Sequence, residues 1–189
     1  MSTALLFPRI FRVGIALALV LSAAFGAFDQ YLGSGHVAGI TWATDVSLLS
    51  APWILLPFVA GATQRDPKRG ALLGLACTYA ALLGYCVMTL SPAEGAHLTF
   101  ATLRGFVYSE RAVLVGGLFT GPLFGWFGQQ WRTGKMLAGA LLVAAALCFE
   151  PLARRVSVNP IRYRDVWLAE VAAGLVLAAA LLAHRAREG

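Results

Sequence analysis

Charge is scarce in this sequence. Asp, Glu, Lys and Arg together make up 13% of its 189 residues, while hydrophobic residues make up 59%. A soluble globular domain carries about 25% charged residues, so this composition excludes an ordinary water-soluble protein. The few charges also stand between long apolar runs, which is typical of helices that cross a lipid bilayer. The sequence therefore predicts an integral membrane protein.

Cysteine is also sparse, and its placement excludes two kinds of site. The three cysteines, Cys77, Cys86 and Cys148, fall within apolar runs and show no CxxC spacing, so neither a disulfide framework nor a cysteine metal site is expected. The sequence lacks a G-x-x-x-x-G-K-[ST] phosphate-binding loop. No nucleophile and base share a helix face. We therefore expect no enzyme, no metal ion and no cofactor.

Six apolar runs predict an all-α, polytopic bundle of six transmembrane helices in a single domain, residues 1–189. The predicted spans are 10–28, 46–63, 70–90, 112–128, 136–149 and 166–183. The fifth run is too short for a hydrocarbon core about 30 Å thick. It must borrow the following turn or thin the bilayer, which puts Glu150 near membrane depth. The alternative for the first run is a cleaved signal peptide, which would leave five spans.

The basic residues explain the net charge of +6 by topology. More of them fall beside the loops of one side, so the positive-inside rule places this side and both termini in the cytoplasm. The tight turns 64–69 and 132–135 carry most of this bias. Tryptophans at the two predicted interfaces agree: Trp42, Trp53 and Trp167 outside, Trp126 and Trp131 inside. No basic run alternates with stacking aromatics, so nucleic acid is not an expected partner.

Glycines at a spacing of four form a stripe along the fourth span. Gly117, Gly121 and Gly125 lie on one helix face, where the missing side chains let another backbone approach closely. We predict that this stripe packs within the bundle. The alternative is a docking face for a partner membrane protein.

Most acidic residues lie on the predicted outer side, and several have a structural explanation. Asp45, Glu110 and Asp165 precede or begin outer helix ends, where a carboxylate caps free N–H groups and meets the positive end of the helix dipole. Ser91 and Glu94 form a capping-box pattern, which predicts a short interfacial helix ending near Gly105.

Three acids lack such an explanation: Asp29, Glu150 and Glu170. The first two follow outer C-terminal helix ends, and Glu170 lies about one turn inside the sixth span, where an ionisable group needs a partner or a wet cavity. We predict that they line an outward-facing, substrate-binding polar pocket roofed by residues 91–108. The arginines predicted to join them are Arg111, Arg154 and Arg155. Two alternatives are an internal ion-pair cluster and arginines that hold anionic lipid head groups.

A group of short motifs carries a family resemblance. Leu48-Leu49-Ser50-Ala51-Pro52-Trp53, Gly70-Ala71-Leu72-Leu73-Gly74 and Gly121-Pro122-Leu123-Phe124-Gly125 resemble an uncharacterised family of actinobacterial multi-pass membrane proteins, a domain of unknown function. The resemblance covers residues 48–131 and implies a bacterial plasma membrane location without an established activity. In outline, six short helices also look like a substrate-binding S component of energy-coupling-factor transporters, which is an analogy of fold alone.

Two functions remain open from the sequence. The first is a small-molecule binding or transport subunit, energised by a partner subunit or an ion gradient. The second is a non-catalytic scaffold or assembly partner that binds another membrane protein through its glycine-rich helix faces. A continuous cavity that reaches Glu170 from outside favours the first, and dry packing there favours the second.

Overall fold

The computed structural model describes residues 6–35, 40–156 and 162–188, with the backbone alone for 6–13 and 188. Within these ranges the fold is all-α, as predicted, and holds no strand. The helices are α1 (Leu6–Gly33), α2 (Trp42–Ser47), α3 (Ala51–Ala62), α4 (Pro67–Thr89), α5 (Phe100–Ser109), α6 (Arg111–Arg132), α7 (Leu137–Arg155) and α8 (Arg164–Glu188). A single 3₁₀ turn, Pro92–Glu94, lies between α4 and α5.

Four helices are long and apolar enough to cross a membrane: α1, α4, α7 and α8. Helix α6 has 22 residues, but its five glycines and Pro122 lower its hydropathy, and α3 has only 12 residues. Large apolar side chains cover the outside of the bundle, and Val20, Phe119 and Val176 are each more than 60% exposed. Soluble proteins rarely show so much apolar surface, whereas a lipid-facing bundle requires it.

Helices α4 and α6 form the centre, where glycines bring two backbones into contact. A Cβ atom built on Gly74 would lie 2.4 Å from the carbonyl oxygen of Gly121, and one on Gly125 would lie 2.4 Å from that of Gly70. Gly117 meets the side chain of Thr78 on the same face. The stripe of Gly117, Gly121 and Gly125 is therefore covered by α4 of the same chain.

Two further layers pack around this centre. Helix α1 lies along α4, because Gly26 admits the Ala81 carbonyl and Gly84 admits that of Ala23. On the other side, α3, α6, α7 and α8 share an apolar core that includes Phe58, Phe127, Val143 and Leu181. Helix α8 packs mainly on α7.

The second predicted span, 46–63, is not continuous. Helix α2 ends at Ser47 and α3 begins at Ala51, so the helical hydrogen-bond pattern is interrupted, although Leu48 and Ser50 keep helical backbone angles. Pro52, in the first turn of α3, explains the break: it has no N–H for the carbonyl of Leu48, four residues before it, and its ring crowds that carbonyl. The fifth span instead gains length, since α7 continues through Pro151 to Arg155. It borrows the following turn and so includes Glu150.

The capping predictions are partly wrong. The turn that follows Ser91 ends at Gly95, which has a φ of 69°, and this left-handed residue stops a helix after one turn. The capping box forms instead at Thr99 and Thr102, whose hydroxyls accept each other's backbone N–H groups at 3.2 Å and 2.9 Å. Helix α5 therefore starts later than predicted and continues past Gly105 to Ser109.

The acids predicted as caps divide between several roles. Asp45 does not cap its own helix; its Oδ2 accepts the backbone N–H groups of Arg162 and Tyr163, both at 2.6 Å, just before α8. Glu110 precedes α6 but makes no side-chain capping bond there. Asp165 lies in the first turn of α8, as expected. Short-range spacing could not reveal the Asp45 contact because it joins residues more than 100 positions apart.

Candidate functional site

The site forms around the break between α2 and α3. Ser50 occupies the N-cap position of α3, but its side chain makes no capping hydrogen bond. The first N–H groups of α3 therefore need acceptors from elsewhere, since a helix start leaves its first donors unsatisfied. In a membrane protein, such irregular backbone is tolerated only where protein covers it or where it lines a cavity.

Glu150 and Arg154, one turn apart on α7, supply the missing partners. The two carboxylate oxygens of Glu150 accept the N–H groups of Ser50 at 2.6 Å and Ala51 at 2.7 Å. The Arg154 guanidinium donates to the Leu48 carbonyl and, at 2.8 Å, to the Ser50 hydroxyl. It also pairs with Glu150 at 3.1 Å. We call these two residues the α7 clamp, because they hold both sides of the break.

A cavity of about 590 Å³ opens beside the break. Its walls come from the end of α1, the break itself, the start of α3, α4, α5, α6 and the end of α7. The aromatic and charged side chains in its lining, among the described residues, are Asp29, Trp53, Tyr85, Phe106, Glu110 and Arg154. Gly116 and Gly117 form its floor on α6, and leave it room that larger residues would fill.

Three of the lining residues belong to an aromatic cluster. The Trp53 ring meets the Tyr85 ring edge-on, with centroids 6.1 Å apart and an interplanar angle of 72°. The Tyr85 and Phe106 centroids are also 6.1 Å apart, and Phe25 closes the other side of Trp53 at 5.3 Å. Trp53 therefore lies in the bundle next to the cavity, although its position in the sequence suggested the outer aromatic belt.

Two of the six predicted substrate-binding residues, Asp29 and Arg154, line this cavity. Glu150 instead borders a second, more open cleft of about 540 Å³, which Arg154 also lines. Glu170 is 4% exposed, so it does face the interior as predicted. The charged groups that act on Glu170 are the carboxylate of Glu150 and the guanidinium of Arg154. Glu170 does not line the cavity.

Arg111 and Arg155 do not join the other four. The Arg111 guanidinium lies 4.3 Å from the centroid of the Tyr108 ring and donates to the Tyr108 carbonyl at 3.2 Å. Arg155 stacks over Trp167 at 5.4 Å. Both are exposed, because each sits at a helix end where a long side chain reaches an aromatic ring on the surface.

The predicted roof over the pocket is only partly present. From the segment 91–108, Phe106 reaches the cavity, where it packs with Cys86, Leu90 and Tyr85. Phe100 is 82% exposed and Tyr108 71% exposed, so most of the segment faces outward. The sequence did not indicate Tyr85, Phe106 and Glu110 as site residues. Tyr85 and Phe106 lie in ordinary helical segments, and Glu110 was explained as a helix cap.

Among the residues that the structure describes, no group of three or more His, Cys, Asp or Glu side chains converges. Comparison of the chain with protein-family models, with curated proteins and with solved structures finds no match.

Proposed function

We propose that this chain is a multi-pass bacterial plasma membrane protein that binds a small molecule, as a binding or transport subunit, in the cavity beside the α2–α3 break. In this proposal the chain crosses the membrane six times: α2 and α3 together make one crossing, and α1, α4, α6, α7 and α8 make the others. Both termini are cytoplasmic, and the cavity faces the outer side. The actinobacterial family and the likeness to S components stay predictions.

The single observation that carries the proposal is the broken helix. A membrane protein that gives up helical hydrogen bonds in the middle of an apolar segment usually does so to build a site, since the freed backbone must be satisfied within the protein. Here Glu150 and Arg154 satisfy it, and the break from Ser47 to Ser50 lines the cavity. A structural kink alone would not need an adjoining space.

The cavity has the dimensions and lining of a ligand site. A volume of about 590 Å³ falls within the range of about 300–1,000 Å³ that is typical of small-molecule pockets. Its wall is mostly apolar and aromatic, with a few polar groups from several helices. This combination is what orients a bound molecule.

The alternative, a scaffold that binds a partner through glycine-rich faces, has less support. The face of Gly117, Gly121 and Gly125 is occupied by α4, and Gly26 and Gly84 are occupied by the α1–α4 contact. No glycine stripe among the described residues of α4 and α6 is left open for a partner.

Native mass spectrometry of the gently extracted protein tests the proposal. Gly116 lines the cavity, and a Cβ atom there meets nothing within 4 Å, so Gly116→Trp should fill the cavity without moving the backbone. Gly105→Trp is the matched control, because Gly105 is equally open but lies outside the lining. We expect a non-lipid small molecule on the wild type and on Gly105→Trp, and none on Gly116→Trp. Lipid alone on all three proteins would overturn the proposal.

A further inference from the structure

The cavity that carries the proposed function contains a buried carboxylate without a basic partner. Asp29 is 9% exposed, and no described Lys, Arg or His forms an ion pair with it. Its carboxylate interacts with the side chain of Trp53. An ionised carboxylate held in this way within a membrane bundle is costly unless a group of opposite charge lies next to it.

Helix geometry adds to the negative character of this end of the cavity. Asp29 lies about one turn before Gly33, where α1 ends, so the negative end of the helix dipole lies near its carboxylate. Two positive helix ends also border the cavity: the start of α3, where Glu150 accepts the first N–H groups, and the start of α6, where the N-cap residue Glu110 lines the cavity. An acidic side chain therefore stands at each of these helix ends.

The other charged side chains in the lining also favour a positively charged ligand. Glu110 also lines the cavity, and the carboxylates of Asp29, Glu110 and Glu94 all act electrostatically on the Tyr85 hydroxyl. Arg154 is the basic residue among the described lining residues. Its guanidinium is engaged by Glu150, Leu48 and Ser50, so an anionic ligand would have to compete with these contacts.

The aromatic wall identifies the kind of cation. Trp53, Tyr85 and Phe106 border the space, with an angle of 72° between the first two rings and 44° between the last two. Aromatic faces attract organic ammonium groups, most strongly where water is excluded. A divalent metal ion would instead need several oxygen ligands together, and no such group of acids converges among the described residues.

We propose that the ligand of this cavity is an organic cation: a protonated or quaternary amine whose charge lies between Asp29 and the aromatic wall, with an apolar body that extends toward Gly116 and Gly117. This inference rests on the proposed function and specifies its ligand class. The carboxylate supplies the charge complement, and the rings supply the cation–π contact and exclude water.

Three probes of one shape and different charge test the sign. Tryptamine is a cation at pH 7, tryptophol is neutral, and indole-3-propionate is an anion. Equilibrium dialysis against the purified full-length protein should give tryptamine an affinity at least about tenfold higher than that of either relative, the scale expected of one charge-assisted contact in a buried site. Equal affinity for the three, or preference for the anion, would overturn the inference.

Variants assign the effect to the site. Asp29→Asn should reduce the tryptamine affinity to that of tryptophol, and Tyr85→Leu should weaken tryptamine more than tryptophol, which keeps a test available if one variant fails to fold. Asp165→Asn removes an exposed acid of α8 and should leave the affinity for all three probes unchanged.

Native mass spectra separate this inference from the proposed function. If a neutral or anionic small molecule occupies the cavity in these spectra, the proposed function survives and the cation inference fails. If Gly116→Trp loses no ligand, the proposed function itself fails.

Discussion

The carboxylate of Glu150 accepts the backbone N–H of Ser50 at 2.6 Å, although 100 residues separate the two in sequence. The second carboxylate oxygen accepts the N–H of Ala51. A side chain of α7 thus performs the capping that α3 lacks locally, and the same side chain is paired with Arg154. The start of α3 is therefore stable only while α7 stays in place.

Replacement of Glu150 should show how much the clamp stabilises the break. The Glu150 side chain is 10% exposed and that of Arg154 21%, so Glu150→Ala removes one member of a partly buried ion pair and two acceptors, which should cost about 2–4 kcal/mol. Glu150→Gln keeps one acceptor oxygen and should cost about 1–2 kcal/mol. Unfolding in a mild detergent, followed by circular dichroism, measures both.

A double-mutant cycle provides the control. If Glu150 and Arg154 act as one clamp, Arg154→Ala should cost much less in the Glu150→Ala background than in the wild type. Additive losses would mean that the two residues hold the break independently.

The break between α2 and α3 could be predicted from the sequence only in part. The run 46–63 is apolar throughout its length, so its average hydropathy predicts one span. The local signal that was present is Ser50 followed by Pro52, a combination that marks a helix start rather than a helix interior. What fixes the break is the contact with Glu150 and Arg154, and no local pattern can indicate a partner 100 residues away.

The sequence identified the buried acids of the site better than it identified their arginine partners. Depth and helix-end position identified Asp29, Glu150 and Glu170 as unusual acids, and all three are well shielded from solvent. Charge alone could not indicate which arginine would join them, because Arg111 and Arg155 find aromatic rings on their own surfaces. The aromatic cavity wall depends on how α3, α4 and α5 pack, which periodicity does not specify.

A graded series of glycine substitutions tests the central packing. A Cβ atom on Gly61 would lie 1.9 Å from the Gly125 carbonyl oxygen, whereas one on Gly116 would meet nothing within 4 Å. Gly61→Ala and Gly121→Leu should each cost about 1–3 kcal/mol or more by overpacking. Gly116→Ala should instead gain up to about 1 kcal/mol from its higher helix propensity.

Thermal unfolding of the three variants in detergent distinguishes these effects. An equal shift for Gly61→Ala and Gly116→Ala would show that the α3–α6 contact is not as close as the structure has it. An unchanged melting temperature for Gly121→Leu would show the same for α4 and α6.

The proposed topology is tested by reporters fused after Gly189. With a cytoplasmic C-terminus, green fluorescent protein should be fluorescent there and alkaline phosphatase inactive. The physical basis is the excess of Lys and Arg in the inner loops.

Cysteine labelling tests the two sides of the membrane directly. Ala93 is exposed between α4 and α5, on the proposed outer side, so Ala93→Cys should react with an impermeant maleimide on intact cells. Thr133→Cys, on the proposed inner side, should react only after permeabilisation. The reverse pattern would invert the topology.

Glu170 should behave differently from Asp29, because it is buried between helices rather than in the cavity wall. Its carboxyl group lies beside that of Glu150, which acts on it through a side-chain hydrogen bond as well as through charge. Glu170→Gln keeps the shape of the side chain and supplies an amide that can donate to Glu150, as a protonated carboxyl group can. It should therefore change the stability by no more than about 1 kcal/mol and leave tryptamine binding unchanged. A stable Glu170→Gln protein that no longer binds tryptamine would instead show that the ligand site extends past the α7 clamp to α8.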